Sequence, residues 1–300
     1  MTSEELTLVS RGEALPLAYA LTARVAADAR VRLLAIKGMV LAHHQLREPR
    51  LSADVDVLVH PRDVEAFVSA MLALGWARVP SATSPSLRRP HAVNLCHAHW
   101  PLGIDVHLHF PGFLAPDAEV FEELWRRRTR LALAHQPVWA TDATSSAAIA
   151  GLHHLRNANS PRDAVALEAL VAKARKRFAD ADLDDLSTLA TATGASRSLA
   201  PLLERLGAPP AAPHPAEADE LESWLLASTA DGATVWTLVW RRTPWRQRPA
   251  FILQALLPDG QRLRELYFHD RTTPLWRLRV RRVQHVAVKL PPVLRQLLGR

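Results

Sequence analysis

The first two hundred residues alternate between short apolar runs and longer segments with helical periodicity. Apolar positions at helical spacing predict helices over residues 12–30, 39–44, 61–75, 118–130, 144–155, 161–178 and 183–193. Short apolar runs predict strands over residues 31–36, 50–59, 76–79 and 137–139, and a hairpin over residues 92–110. This order of elements predicts an α+β fold in which a small sheet carries flanking helices.

A stretch rich in proline and alanine, residues 207–217, follows this part of the chain. Such a composition is typical of linkers. We therefore predict a core over residues 1–140, a helical subdomain over residues 141–206, and a mainly helical C-terminal region over residues 218–300.

One predicted strand carries two carboxylates on the same face. Side chains alternate along a strand, so Asp54 and Asp56 point one way, and the valines at 55, 57 and 59 point the other way, towards a core. Like charges side by side on a strand are destabilising. A divalent cation removes this repulsion, and the pair therefore indicates a metal site.

A third carboxylate follows the same alternating pattern in the second strand of the predicted hairpin. Asp105, His107 and His109 share one face of that strand. Because adjacent strands lie about 4.8 Å apart, Asp105 joins the first two acids if its strand neighbours theirs.

A strand, a glycine and a helix follow one another at Lys37 and Gly38. Free N–H groups at the start of a helix attract anions, and the Lys37 ammonium adds a full charge beside them. This turn is therefore a candidate phosphate site.

The histidines allow a competing metal site. One cysteine and four histidines lie within 14 residues, on two strands that we expect to pair: Cys96, His97, His99, His107 and His109. Zinc prefers such ligands, although the spacing matches no structural zinc motif, and a zinc hydrolase is kept as an alternative. His153 and His154 are a further functional candidate, but they fall in an apolar helical segment, where we expect them to pack as a core pair.

The composition is that of a globular protein, with 48% hydrophobic and 22% charged residues. The single cysteine excludes an internal disulfide and favours a reducing compartment. The first residues lack the pattern of a secretion signal, and no apolar run approaches the roughly 20 residues of a membrane span. We therefore predict a cytoplasmic protein and do not favour a membrane partner.

The charge is distributed unevenly. Residues 241–300 contain 14 Lys and Arg residues and three acidic ones, which gives this segment +11 and leaves −4 on the rest of the chain. Residues 240–248 contain both tryptophans and arginines. Tryptophan rings stack on bases and arginines contact phosphates, so residues 240–300 are a candidate nucleic-acid contact. Two alternatives remain open: a tryptophan core under a solvated arginine surface, and an amphipathic helix on an acidic membrane.

Together these motifs resemble the nucleotidyltransferases of the polymerase-beta-like superfamily, and most closely the uncharacterised nucleotidyltransferase family of bacterial proteins. The matching motifs are Ile36-Lys37-Gly38, Arg50, Asp54-Val55-Asp56-Val57-Leu58-Val59 and Asp105-Val106-His107. Arg162-Asp163 at a predicted helix start is also similar to a pair in the abortive-infection and toxin nucleotidyltransferases. The resemblance covers residues 30–175 and implies a small mixed sheet with flanking helices.

The resemblance implies transfer of a nucleoside monophosphate from an NTP to an acceptor hydroxyl, with release of pyrophosphate. It implies that Asp54, Asp56 and Asp105 hold Mg²⁺ or Mn²⁺, and that Asp105 also accepts the proton of the attacking hydroxyl. The acceptor stays open between an RNA such as tRNA, a protein hydroxyl and a small molecule. A degenerate transferase that binds nucleotide or RNA without catalysis is the main alternative.

The same resemblance implies a set of triphosphate-binding residues: Lys37, Gly38, Arg50 and Ser52. Two further residues, His107 and Asp163, are expected to support the site, His107 through a hydrogen bond. The superfamily usually has Ser or Gly after the turn glycine, whereas this chain has Met39. Because Met39 has no hydroxyl group, we expect backbone N–H groups and Lys37 to bind the phosphates.

Overall fold

The computed structural model describes residues 9–79, 90–229, 234, 240–241, 243–249, 260, 263 and 273–297. The chain divides into two compact units, one formed by residues 1–79 and 90–225, the other by residues 80–89 and 226–300. The domain boundaries expected from the sequence stay predictions.

Seven strands and most of the described helices belong to the first unit. The strands are β1 (Leu33–Ile36), β2 (Asp54–Val59), β3 (Ala77–Val79), β4 (Ala92–Cys96), β5 (Gly103–His107), β6 (Thr129–Leu133) and β7 (Gln136–Ala140). The helices are α1 (Arg11–Asp28), α2 (Gly38–His43), α3 (Val64–Ala73), α4 (Asp117–Arg126), α5 (Ala143–Leu155), α6 (Pro161–Arg177), α7 (Asp180–Ala192), α8 (Ala200–Leu206) and α9 (Glu217–Thr229), which runs past the boundary at 225. The described part of the second unit contains a short 3-10 helix (Trp245–Gln247) and α10 (Leu275–Leu297).

The seven strands form one mixed sheet in the order β3-β4-β5-β2-β1-β7-β6. Strand β2 runs parallel to β5 and antiparallel to β1, and β1 runs parallel to β7. The hairpins β4–β5 and β6–β7 are antiparallel. The predicted mixed sheet with flanking helices and a helical C-terminal region is confirmed.

Helices cover both faces of the sheet. Helices α1 and α3 pack on the face that carries the β2 valines, all of which are fully buried, as predicted. Helices α4 to α8 pack on the opposite face, where Leu58 lies in the core. Because side chains alternate, Asp54 and Asp56 point towards this second face. The acids therefore lie where the sheet meets the larger helical layer.

One predicted helix is wrong at its end. The helix expected over residues 118–130 stops at Arg126, and residues 129–133 form strand β6. The turn after β6 places Ala134 and His135 at φ 45° and 60°, and this tight turn lets Leu131 pair with Val138. Arginines are good helix formers, so the Arg-rich stretch looked helical, but pairing at the sheet edge overrides that local preference.

Among the described residues, no helix combines the length and the apolar character needed to cross a membrane.

Candidate active site

The turn between β1 and α2 requires a glycine. Lys37 has φ 53° and ψ −142°, and Gly38 has φ 38°. A Cβ atom at Gly38 would lie 2.3 Å from the hydroxyl oxygen of Tyr19, a fully buried residue of α1. This hydroxyl donates a hydrogen bond of 3.4 Å to the Ile36 carbonyl, the last residue of β1. The packing of Tyr19 therefore holds the backbone that carries Lys37.

Strands β2 and β5 bring two of the predicted acids together. Their parallel register places Asp56 opposite Asp105, and Asp54 opposite Gly103. The strands are thus neighbours, which is the arrangement on which the clustering of Asp105 depended. Ligand atoms of Asp56, Asp105 and His107 all lie within 4.8 Å of one another.

Asp56 is the most strongly bound of these acids. Its Oδ1 atom lies 2.5 Å from the Lys37 ammonium and 2.9 Å from Nε2 of His107. Asp56 is only 6% exposed. Burial acts to raise the pKa of Asp56, but the hydrogen bond from His107 and the charge of Lys37 outweigh it and hold this pKa well below its usual range. Asp56 is therefore ionised at any physiological pH.

Asp105 has the opposite character. Burial raises the pKa of Asp105 to about 7, with a further contribution from the charges of Asp56 and Asp54. At neutral pH a proton therefore occupies this carboxyl group in a large fraction of the molecules. A cation bound between the acids favours the ionised form, so its binding displaces that proton.

Asp54 and Ser52 form a separate contact at the edge of the cluster. The Ser52 hydroxyl donates a hydrogen bond of 2.9 Å to Oδ1 of Asp54. Asp54 does not belong to the group of ligand atoms within 4.8 Å, so the structure brings two of the three predicted acids into close range and leaves the third nearby.

This donor set suits a hard divalent cation. Three carboxylates on two adjacent strands offer the oxygen ligands that Mg²⁺ and Mn²⁺ prefer. His107 is buried and hydrogen-bonded to Asp56, which fits a residue that orients a ligand. The residues present therefore fit the metal implied by the sequence.

A cavity of about 480 Å³ opens beside the acids. Its wall is formed by residues from the β1–α2 turn, the α2–β2 segment, β2, α5 and α6: Lys37, Gly38, Leu41, Leu46, Arg47, Glu48, Arg50, Ser52, Asp54, Asp56, Ala150, His153, His154, Ala166, Ala169, Leu170 and Lys173. The volume lies within the range of small-molecule sites. All four predicted triphosphate residues line this cavity.

Two cationic residues of the cavity were missed by the sequence reasoning. Arg47 donates a hydrogen bond of 3.0 Å to the Gly38 carbonyl, and Lys173 of α6 forms an ion pair with Glu48. Neither belongs to a recognisable motif, because Arg47 lies in an irregular segment and Lys173 lies far from the other site residues along the chain. The packing of α6 against α5 brings Lys173 to the site.

The expected core packing of His153 and His154 is wrong, because both line the cavity at the last turn of α5. Nδ1 of His154 lies 3.0 Å from Oδ1 of Asp163, near the start of α6. The Ser160 hydroxyl caps α6 by accepting a hydrogen bond from the Asp163 backbone N–H. The apolar periodicity of α5 marks the buried turns Ala147–Leu152 but does not show that the next turn faces a cavity. Asp163 therefore contacts the site indirectly, through its hydrogen bond with His154.

The alternative zinc cluster does not form among the described residues. His107 pairs in register with Ala92, whereas Leu95 pairs with Ile104, so Cys96 and His107 lie at opposite ends of the β4–β5 hairpin. His97 packs against Trp76, and Cys96 is exposed. Zinc chemistry on these residues has no geometric support.

Matching of the whole sequence against protein families agrees with this geometry and gives a nucleotidyltransferase as the class of protein. The chain belongs to the uncharacterised nucleotidyltransferase family, whose sequence profile matches residues 7–206. The resemblance seen in the motifs is thereby confirmed.

The solved structures that this chain matches are distant in sequence. The solution structure of the antibiotic-resistance factor ANT(2'')-Ia is 13% identical, with 65% of this chain and 97% of that chain covered and a TM-score of 0.42. An antigenic nucleotidyltransferase-like protein from Paracoccidioides brasiliensis is 14% identical, with 74% and 96% covered and a TM-score of 0.40. Comparison with curated protein sequences gives no match.

Proposed function

We propose that the protein transfers a nucleoside monophosphate from an NTP to an acceptor hydroxyl, with release of pyrophosphate, in a metal-dependent reaction. One observation carries this proposal: the register of β2 and β5 sets Asp105 beside Asp56, and Asp56 lines a cavity together with Lys37. Burying two acids side by side has a desolvation cost, and a metal-binding role explains why the fold carries it.

The acids and the cations have separate tasks in this proposal. Asp54, Asp56 and Asp105 hold Mg²⁺ or Mn²⁺. The bound ion supplies charge neutralisation at the α-phosphate oxygens. A triphosphate carries about four negative charges, and cationic side chains around the cavity are placed to bind them. These side chains are Lys37, Arg47, Arg50 and Lys173.

A non-catalytic nucleotide-binding module is the second candidate. It is favoured by one contact, the ion pair between Lys37 and Asp56, which neutralises the central acid without a metal. The two candidates share NTP binding and differ in whether a covalent product forms.

The test is incubation with each α-labelled NTP and a cell extract in the presence of Mg²⁺, followed by separation of labelled products by size. We expect a labelled acceptor with the wild type. Asp56→Asn and Asp54→Asn should abolish the labelling, whereas Asp184→Asn, an exposed acid of α7, should retain it. Binding of each NTP is followed separately by the shift in melting temperature with and without Mg²⁺.

Three outcomes separate the candidates. Labelling that depends on Asp56 and Mg²⁺ supports transfer. A melting shift with NTP, but no labelled product from any extract fraction, supports the binding module. Equal labelling by wild type and Asp56→Asn contradicts the proposed site.

The second unit is proposed as a contact for a nucleic-acid acceptor. Trp245 and Trp276 are 72% and 60% exposed, and Arg246 and Arg277 lie over their rings at 5.4 and 5.2 Å. Exposed aromatic and guanidinium planes suit stacking on unpaired bases. Trp224 instead packs in the core of the first unit. Salt-dependent binding of single-stranded RNA, weakened by Trp276→Ala, tests this contact.

A location in the cell is part of the same proposal. NTP-dependent transfer needs a nucleotide supply, and the single cysteine, Cys96, is a free thiol, so we propose the reducing environment of the cytoplasm.

A further inference from the structure

A histidine–aspartate pair lies on the cavity wall formed by α5 and α6. His154 lines the cavity, and its Nδ1 atom is hydrogen-bonded to Oδ1 of Asp163 at 3.0 Å. Asp163 is itself held in place, because it also accepts a hydrogen bond from Asn157 and its backbone N–H is bound by Ser160. The carboxylate therefore fixes the orientation of the imidazole ring.

This contact decides which nitrogen of His154 carries a lone pair. Burial acts to raise the pKa of Asp163, but hydrogen bonds from His154, Ser160 and Asn157 lower it overall, so Asp163 is ionised. An ionised carboxylate only accepts hydrogen bonds, and Nδ1 of His154 must therefore be the donor. In a neutral ring, Nε2 is then the acceptor. Nε2, the nitrogen that Asp163 does not hold, is therefore the one left to accept a proton from a group in the cavity that His154 lines.

We propose that Nε2 of His154, oriented by Asp163, accepts the proton of the attacking acceptor hydroxyl. The inference rests on the proposed nucleotidyl transfer and adds the side chain that accepts the proton. His154 is the catalytic residue in this scheme, and Asp163 is a positioning residue.

The dimensions of the cavity allow this role. A sphere of 480 Å³ is about 10 Å across, which leaves room for a reacting phosphate and a hydroxyl between opposite walls. Asp54 and Asp56 line the same cavity as His154. Asp105, the proton acceptor implied by the family resemblance, is half-buried and is not among the residues that line this cavity. His154 is thus better placed than Asp105 to meet a substrate hydroxyl.

The charges around His154 keep it in the form that can accept a proton. Burial is the main cause of a lowered pKa, Asp163 of α6 acts to raise it, and Arg50 and Arg156 add to the lowering. His153 on the same helix turn has its pKa lowered to about 3 by burial and the charge of Arg156, so it adds no positive charge at neutral pH. His154 is consequently a neutral base at physiological pH.

The step balances without any further reactant. The hydroxyl oxygen forms a bond to the α-phosphorus of the NTP, and its proton moves to Nε2 of His154. The bond between the α-phosphorus and the oxygen that bridges to the β-phosphorus breaks, and pyrophosphate leaves with that electron pair. The imidazolium, stabilised by Asp163, then releases its proton to water.

The presence of a base restricts the acceptor. A phosphate or carboxylate acceptor is already anionic at neutral pH and has no proton to remove before attack. A sugar, ribose or serine hydroxyl is neutral, and its attack is accelerated by a positioned base. The pair therefore indicates an alcohol acceptor.

The cluster of His153, His154 and Asp163 also has ligand atoms within 4.8 Å of one another, which raises the question of a second metal site. Two observations oppose it. Nδ1 of His154 is occupied by its hydrogen bond, and Arg50 and Arg156 place positive charge around the ring. A cation would have to enter against both arginines.

The experiment compares wild type, His154→Gln, His154→Ala and Asp163→Asn, with His99→Gln, an exposed histidine of the β4–β5 turn, as the matched control. Transfer from α-labelled NTP to a cell-extract acceptor is measured under single-turnover conditions from about pH 5 to pH 9, a range that spans the ordinary titration of histidine. NTP binding and melting temperature are measured for every variant. Imidazole is added to His154→Ala to restore the base.

We expect His154→Gln to lower the transfer rate by about 10²- to 10⁴-fold with NTP binding unchanged, the usual contribution of a general base. The wild-type rate should rise with pH through the titration of His154 and then level off, and His154→Gln should lack this limb. Asp163→Asn should shift the limb to lower pH, because Asp163 raises the pKa of His154. Imidazole should restore part of the rate of His154→Ala.

The inference is overturned if His154→Gln keeps the wild-type rate and pH profile, or if imidazole does not rescue a folded His154→Ala. It is also overturned if Co²⁺ gives absorption bands that disappear in His154→Gln, because the cluster is then a metal site. Absence of transfer by the wild type with every NTP refutes the proposed function instead, and so separates the two failures.

Discussion

The contact between Gly38 and Tyr19 allows a quantitative test of how the phosphate turn is built. Substitution of Gly38 by alanine adds one methyl group, whose carbon would lie 2.3 Å from the Tyr19 hydroxyl oxygen. Tyr19 has no exposed surface, so it has no open space into which it can retreat. The substitution also places a side chain at φ 38°, in the left-handed region.

Two terms make up the expected cost. A non-glycine residue in the left-handed region costs about 1–2 kcal/mol. Overpacking of a well-filled core costs about 1–3 kcal/mol more. Gly38→Ala should therefore destabilise the protein by about 2–5 kcal/mol, a large part of the typical total of about 5–15 kcal/mol.

The two terms can be separated with matched variants. Gly207, at the end of α8, has φ 74°, and an added methyl carbon there would meet no atom within 4 Å, so Gly207→Ala measures the backbone term alone. Tyr19→Phe removes the clashing oxygen, after which the nearest ring carbon lies at 3.4 Å, an ordinary contact. The free energy of unfolding in urea is measured for each single variant and for Gly38→Ala combined with Tyr19→Phe.

The double-mutant cycle gives the decisive number. We expect Gly38→Ala to be less costly by about 1–3 kcal/mol in the Tyr19→Phe background, because the steric term is gone and the backbone term remains. The expectation is refuted if the two costs are equal, or if Gly38→Ala costs no more than Gly207→Ala. In either case Tyr19 does not determine the need for glycine at this turn.

Two further predictions concern the charges of the acid cluster. The pKa of Asp105, raised to about 7, exceeds its ordinary value of about 4, so the folded state holds the proton more tightly and stability falls as pH rises through this window. Asp105→Asn should abolish this fall in the free energy of unfolding. The assay is urea denaturation at about pH 5 and pH 8 in the presence of a chelator. If the pH dependence of stability is unchanged in the variant, the raised pKa of Asp105 is contradicted. Lys37→Met should cost about 3–5 kcal/mol by leaving Asp56 buried without its cation. Adding Asp56→Asn should recover much of this stability in the same assay, and no recovery would show that the ion pair is not the cause.

The features that were predictable from sequence depend on short-range geometry. Alternation along β2 sets Asp54 and Asp56 on one face regardless of what packs around them. The hairpin β4–β5 is local, and its alternation sets Asp105 in the same way. What the sequence left open was whether β5 lies beside β2, and the observed parallel pairing answers this.

The features that were not predictable depend on packing between elements far apart in the chain. Periodicity predicts the helices α5 and α6, but it does not show which residues at their ends line a cavity. For this reason the sequence favours a core position for His154, whereas the structure places it on the cavity wall. Arg47 comes from a segment without a pattern. The Arg-rich stretch after α4 has helical propensity, yet it forms β6 because it completes the sheet edge beside β7.

Charge balance explains why the acid cluster is stable in the absence of an ion and still suited to bind one. Lys37 balances the charge of Asp56 at 2.5 Å. Burial raises the pKa of Asp105 to about 7, so a proton balances the second acid in part of the molecules near neutral pH. Asp54, at the edge of the acid cluster, accepts a hydrogen bond from the Ser52 hydroxyl and lines the cavity. In the proposed metal site, a divalent cation would replace the proton on Asp105 and would add charge that the single lysine does not provide. Binding of the ion should therefore release a proton near neutral pH, which links metal affinity to pH through Asp105 and not through Asp56.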